Sequence, residues 1–200
     1  MYSIGSLPGS YRECLRIDLQ KDRKSALAVN GAALLVTLLL MWVGSRIVPL
    51  RGVFSADRPW LGVLRAALIL LGIVAYVVLH ELTHAAAMKL CGAGKLRFGF
   101  TGGYAWAGSE GDYFTKRAHR FIALAPLLVW TLLLAAALAA VPRSWFWVLY
   151  FIQIMNIAGS AGDVYVSLRF ARLPDTIRIR DTGTDMTVYD HVRINIKQKT

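Results

Sequence analysis

Hydrophobic and polar positions along the chain fall into long blocks. Four apolar stretches cover residues 26–43, 60–79, 121–141 and 145–168, separated by polar and mostly basic segments. A helix needs about 20 mostly apolar residues, with a range of roughly 17–25, to cross the hydrocarbon core of a bilayer. Each stretch meets that length, so the pattern predicts four spanning helices. Two intervening segments change period from helical to alternating. LRFGFTGGYAW, residues 96–106, alternates around Thr101-Gly102-Gly103 and predicts a hairpin whose glycines supply the positive-φ turn. TIRIRDTGTDMTVYD, residues 176–190, predicts a second short hairpin around residues 181–185. Residues 1–25 read as a short amphipathic or irregular lead-in. The expected fold is an all-α membrane protein of about four transmembrane helices with short β-hairpins. It divides into a lead-in (1–25), a four-helix membrane domain (26–173) and a tail with a hairpin (174–200).

Composition supports the membrane expectation: 56% of residues are hydrophobic and the mean hydropathy is +0.48, above the usual apolar share of a soluble domain. The lead-in carries Glu13, Asp18 and Asp22 and has no apolar core of a cleavable signal, so the first span is expected to remain as an anchor. The net charge of +11 is unevenly placed. Basic residues cluster in the lead-in (Arg12, Arg16, Lys21, Arg23, Lys24), in the central loop (Lys89, Lys95, Arg97, Lys116, Arg117, Arg120) and in the tail from Arg169 to Lys199. The other two connections hold only Arg46, Arg51, Arg58 and Arg143. By the positive-inside rule both termini and the central loop face the cytoplasm. The basic clusters then serve as topology signals and as contacts to anionic lipid, making the bilayer the expected partner. No recognition motif accompanies the charge, which argues against nucleic acid as a partner. Cys14 and Cys91 fall on the expected cytoplasmic side, where thiols stay reduced and no disulfide is expected. Cys91 reads as a small buried hydrophobe.

Against this apolar background the stretch VVLHELTHAA, residues 77–86, is conspicuous. Ionisable groups inside a span cost a few kcal/mol each and mark functional sites. His80 and His84 are four residues apart, hence on one helix face, and with Glu81 they form an H-E-x-x-H match. Such histidines hold zinc, which acidifies a water, while the glutamate acts as general base. Zn2+ is the expected cofactor, His80 and His84 the expected metal ligands and Glu81 the expected catalytic residue. The competing reading is a polar cluster that bridges helices without metal.

A catalytic zinc takes a third protein ligand. Glu110, Asp112, His119, Asp163 and His191 are the candidates outside the motif. Asp163 is favoured because it lies within an apolar stretch and because its depth matches. If Trp60 and Trp145 mark one interface, His80 lies 20 residues below it, about 30 Å, and Asp163 lies 18 below, about 27 Å. Around it, NIAGSAGDVYVS places Asn156 on the same face, able to orient Asp163 or to bind a substrate carbonyl, and the small residues 158–162 let another helix approach. His119 reads as an interfacial cation beside Lys116, Arg117 and Arg120, and His191 has no evident partner.

HELTH closing a span, the glycine-containing hairpin, FTKRAHRFIALAP leading into a third span and NIAGSAGD in a fourth resemble the putative zincin peptidase family of small bacterial membrane proteins, related to site-2 protease-type intramembrane metalloproteases. The likeness extends over nearly the whole chain, including LPGSYRECLRIDL and TVYD. It implies zinc on His80, His84 and Asp163, with Glu81 catalytic, in a bacterial cytoplasmic membrane. It also makes ALAP, residues 123–126, similar to the alanine-glycine-proline stretch of site-2 proteases. GSAGD departs from the asparagine-proline-aspartate-glycine form common there, and no PDZ-like domain accompanies it. The expected function is membrane-embedded zinc peptidase action on membrane-protein or peptide substrates near the cytoplasmic face. A peptidase for short interfacial peptides is a related alternative. A non-catalytic metal-binding or scaffolding membrane protein, closed by a fourth ligand such as His119 or Cys91, is the alternative from another class.

Overall fold

The computed structural model describes residues 3–19, 21–53, 58–101 and 104–191. Five helices carry most of the chain: α1 (Arg23–Ile47), α2 (Pro59–Leu90), α3 (Lys116–Ala140), α4 (Phe146–Gly159) and α5 (Ala161–Ala171). Their ends follow local chemistry. Asp22 caps α1 by accepting the Lys24 amide at 3.1 Å. Pro59 opens α2, where its missing N–H is no loss. Gly92 follows its last turn with φ +90°, a conformation that favours glycine. Thr115 caps α3 through the Ala118 amide at 3.2 Å.

The all-α expectation is corrected. Strands β1 (Ser3–Ile4), β2 (Tyr11–Ile17), β5 (Tyr113–Thr115), β6 (Arg178–Asp181) and β7 (Met186–His191) form a five-stranded antiparallel sheet in the order β1-β5-β6-β7-β2. A separate two-stranded sheet pairs β3 (Lys95–Thr101) with β4 (Tyr104–Glu110). The lead-in therefore supplies both edge strands, β1 and β2, with Ile17 opposite Met186 and Tyr11 opposite His191. The physical reason is burial, since an isolated hairpin is marginal in water. Adding β2 and packing α5 beneath the sheet buries Ile17, Val166, Phe170, Ile177, Ile179 and Val188 in one cluster. The second hairpin forms as expected, turning at Gly183 with φ +87°. The first also forms, but its Gly102-Gly103 turn lies outside the described residues, as do Arg193, Lys197 and Lys199 of the tail.

Three described helices, α1, α2 and α3, are long and apolar enough to cross a membrane, rather than four. The fourth apolar stretch breaks at Ser160 into α4, of 14 residues, and α5, of 11. Ser160 turns its hydroxyl back to the Asn156 carbonyl at 2.8 Å and leaves α5 to restart at Ala161. α4 is tied to α1 by Tyr150, which donates to the Leu40 carbonyl at 2.8 Å, and by Trp147, which donates to the Val48 carbonyl at 3.1 Å.

Candidate metal centre

α2 presents His80 and His84 one turn apart, packs against α3 and α4, and receives Asp163 from the first turn of α5. The three side chains form the metal-capable group among the described residues: their donor atoms lie within 4.8 Å of one another. His80 Nε2 is 3.4 Å from Asp163 Oδ2, His84 Nε2 is 3.6 Å from Asp163 Oδ1, and the two Nε2 atoms are 3.1 Å apart.

The hydrogen bonds behind the rings decide which nitrogens are available. His84 Nδ1 faces the Ile122 carbonyl at 2.9 Å, which can only accept, so this nitrogen carries the proton. Tyr76 donates its hydroxyl to Asn156 Oδ1 at 2.9 Å, leaving its oxygen to accept from His80 Nδ1 at 2.7 Å. Asn156 in turn donates to Thr131 Oγ1 at 2.8 Å. Both imidazoles, in their neutral forms, therefore turn an Nε2 lone pair towards a carboxylate and towards each other. Three converging acceptors with no proton between the rings fit a bound cation. The spacings agree with this, since ligands about 2.1 Å from a tetrahedral zinc are roughly 3.4 Å from one another. Nitrogen and carboxylate donors are also the set zinc takes.

Glu81 is not in this group. It lines the same cavity, and its carboxylate lies beside the backbone amide of Ala107 in β4. The cavity measures about 700 Å³, within the size range of small-molecule and peptide sites. Its walls include Asn30 of α1, residues Tyr104 to Ala107 of β4, the small residues flanking Ser160 and the β6–β7 turn. β3 pairs with one edge of β4, and among the described residues no strand pairs with the other. The β6–β7 turn is held close to the hairpin by glycine: a Cβ on Gly108 would run into the Thr182 backbone.

A family described as "Putative zincin peptidase" matches residues 73–178, a stretch that contains His80, Glu81, His84, Asn156 and Asp163. The chain belongs to this family. No curated protein and no solved structure matches it. The family's name implies a zinc metallopeptidase, and the donor set just described is chemically suited to that metal.

The remaining candidates in this zincin family member have other partners. Glu110 pairs with Arg97 at 2.7 Å, Asp112 accepts the Gly94 amide at 2.9 Å, and His191 packs on Tyr11 with ring centroids 4.1 Å apart. His119, expected at the interface, is 1% exposed and faces Asp181 at 3.6 Å beneath Phe170. Cys91 lies in an apolar cluster with Met88 and Phe114. Neither of these proposed fourth ligands belongs to the three-residue group. Asn156 is fully buried and occupied by Tyr76 and Thr131, behind His80 rather than on the cavity wall. Sequence reasoning missed Tyr76 and Thr131; Tyr76 had a signal, being one turn before His80 on the same face.

Proposed function

We propose that the chain is a membrane-embedded zinc endopeptidase of site-2 protease type, hydrolysing peptide bonds of membrane-associated proteins near the cytoplasmic face. The observation that carries this reading is the convergence of the two Nε2 lone pairs and the Asp163 carboxylate within 4.8 Å, beside Glu81 in a cavity large enough for a peptide. His80, His84 and Asp163 would hold zinc, leaving a position for water and substrate because no fourth protein donor belongs to the described group. Bound zinc would supply Lewis acidity to water and to the peptide carbonyl. Glu81 would take the proton from water and deliver it to the departing amine. The Tyr76–Asn156–Thr131 relay holds the His80 ring in its tautomer and orientation, and the Ile122 carbonyl does so for His84.

Placement near the cytoplasmic face rests on the basic clusters and on helix length. His80 lies 20 residues, about 30 Å, along α2 from Trp60, close to the full hydrocarbon thickness. A substrate helix must unwind before its amides can be attacked, because they are occupied by their own hydrogen bonds. The uncovered edge of β4 supports capture of the unwound segment by strand addition. The test is cleavage of a membrane-anchored substrate by the protein in lipid nanodiscs. Glu81→Gln should lower turnover by at least ~10²-fold while zinc content stays unchanged. Undiminished turnover in that variant would defeat the mechanism.

A further inference from the structure

On the face of α2 next to the one that carries the metal group, a second groove of about 620 Å³ runs between α2 and α3. Its floor is apolar and shallow-sided because small side chains, Ala86, Ala87 and Ala125, separate the larger Phe121, Leu124 and Leu128. At one end it is bounded by Arg117 and Arg120, three residues apart and so on one face of α3. Both are exposed, and neither makes a hydrogen bond or salt bridge among the described residues. Asp175, the acid whose charge both guanidiniums feel, is already held by Lys116 at 2.9 Å. No acidic residue lines the groove.

We propose that this groove binds one anionic phospholipid, an acyl chain lying along Ala86 and Ala125 and the phosphate between Arg117 and Arg120. Charge and length together favour a lipid. Exposed guanidiniums at the end of an apolar trough complement a phosphate carried on a hydrocarbon chain. From Arg120 to Val129 the groove follows nine residues of α3, about 14 Å. That is half of a ~30 Å hydrocarbon core, the depth of one leaflet. The hydrogen bond from His84 to the Ile122 carbonyl puts the arginine end near the level of the metal group. The lipid would thus lie against the flank of the helix that carries both histidines. The inference rests on the membrane-embedded reading but not on the peptidase chemistry.

The experiment uses the full chain in nanodiscs of equimolar phosphatidylglycerol and phosphatidylcholine, with native mass spectrometry of the lipids retained on release. The wild type should retain phosphatidylglycerol preferentially. R117Q/R120Q should lower that preference roughly thirtyfold, at about one kcal/mol for each of the two basic residues. Ala86→Phe, at an exposed groove position away from the core, should reduce retention of either lipid while both arginines remain. Protein that enters nanodiscs but retains the two lipids equally, before and after R117Q/R120Q, would overturn the groove assignment alone. Loss of a dimer in Ala86→Phe with lipid retention unchanged would assign the groove to a second copy and overturn it as well. Protein that stays out of the bilayer would overturn the groove assignment and the membrane reading together.

Discussion

The two walls of the metal group are built differently. α2 is one unbroken helix of 32 residues, and it delivers His80, Glu81 and His84 by helical spacing alone. The opposite wall is two short helices that meet at Ser160, and Asp163 arrives because α5 begins two residues earlier. One side depends on periodicity, the other on an interruption. The contrast extends to the tethers. His84 is oriented by a backbone carbonyl that no side-chain change removes, whereas His80 is oriented by a relay of three side chains. The regular wall thus carries the proposed general base and two of the proposed ligands. The interrupted wall adds the only carboxylate of the group and, through Asn156, the support for His80.

Removing the contribution of the interrupted wall should have the largest effect. Asp163→Ala leaves two imidazoles without their carboxylate, and zinc binding should weaken by more than the ~10–100-fold typical of outer partners. Isothermal titration with zinc would measure it, and an unchanged affinity would mean that α5 adds no ligand. Tyr76→Phe probes the tethers. It deletes the hydroxyl between His80 and Asn156 while keeping the ring, and zinc affinity should fall by roughly 10–100-fold. An effect as large as that of Asp163→Ala would mean that His80 is not held independently of its relay.

A smaller effect is expected where α5 ends. The Lys116 ammonium donates to the Ala171 and Leu173 carbonyls, the latter at 2.6 Å, and pairs with Asp175. Lys116→Met should lower the unfolding temperature by ~2–4 °C, the equivalent of about 1 kcal/mol in a chain of this size. The hydrogen bond and charge of Lys116 also hold the Asp175 carboxyl below its usual range. A group depressed in the folded state contributes stability above its unfolded value and loses it as pH falls through the lowered one. The acid side of the stability profile should therefore flatten slightly in the variant, while zinc affinity at neutral pH is retained.

How much of this was legible follows the same division. HELTH needed only the i, i+4 rule, and the depth comparison placed Asp163 beside it, because one interrupting residue hardly changes the rise along the helix axis. The interruption itself was invisible to hydropathy, since Gly159, Ser160 and Ala161 do not lower the apolar average of their surroundings enough. The sheet was missed for a different reason. β2 and β7 are far apart in the chain, and pairing across such a distance leaves no local mark beyond the weak alternation of Leu15 and Ile17. His119 was misjudged from its basic neighbours. Its helical period aligns it instead with Ile122, Ala123 and Pro126, all buried, and that pattern was readable.

Zinc K-edge X-ray absorption on the purified protein reads the donor set itself. The expected spectrum shows about one zinc per chain with two imidazole nitrogens and carboxylate oxygen in its shell, and it changes in Asp163→Ala. Sulfur ligation, or a spectrum identical in Asp163→Ala, would contradict that donor set.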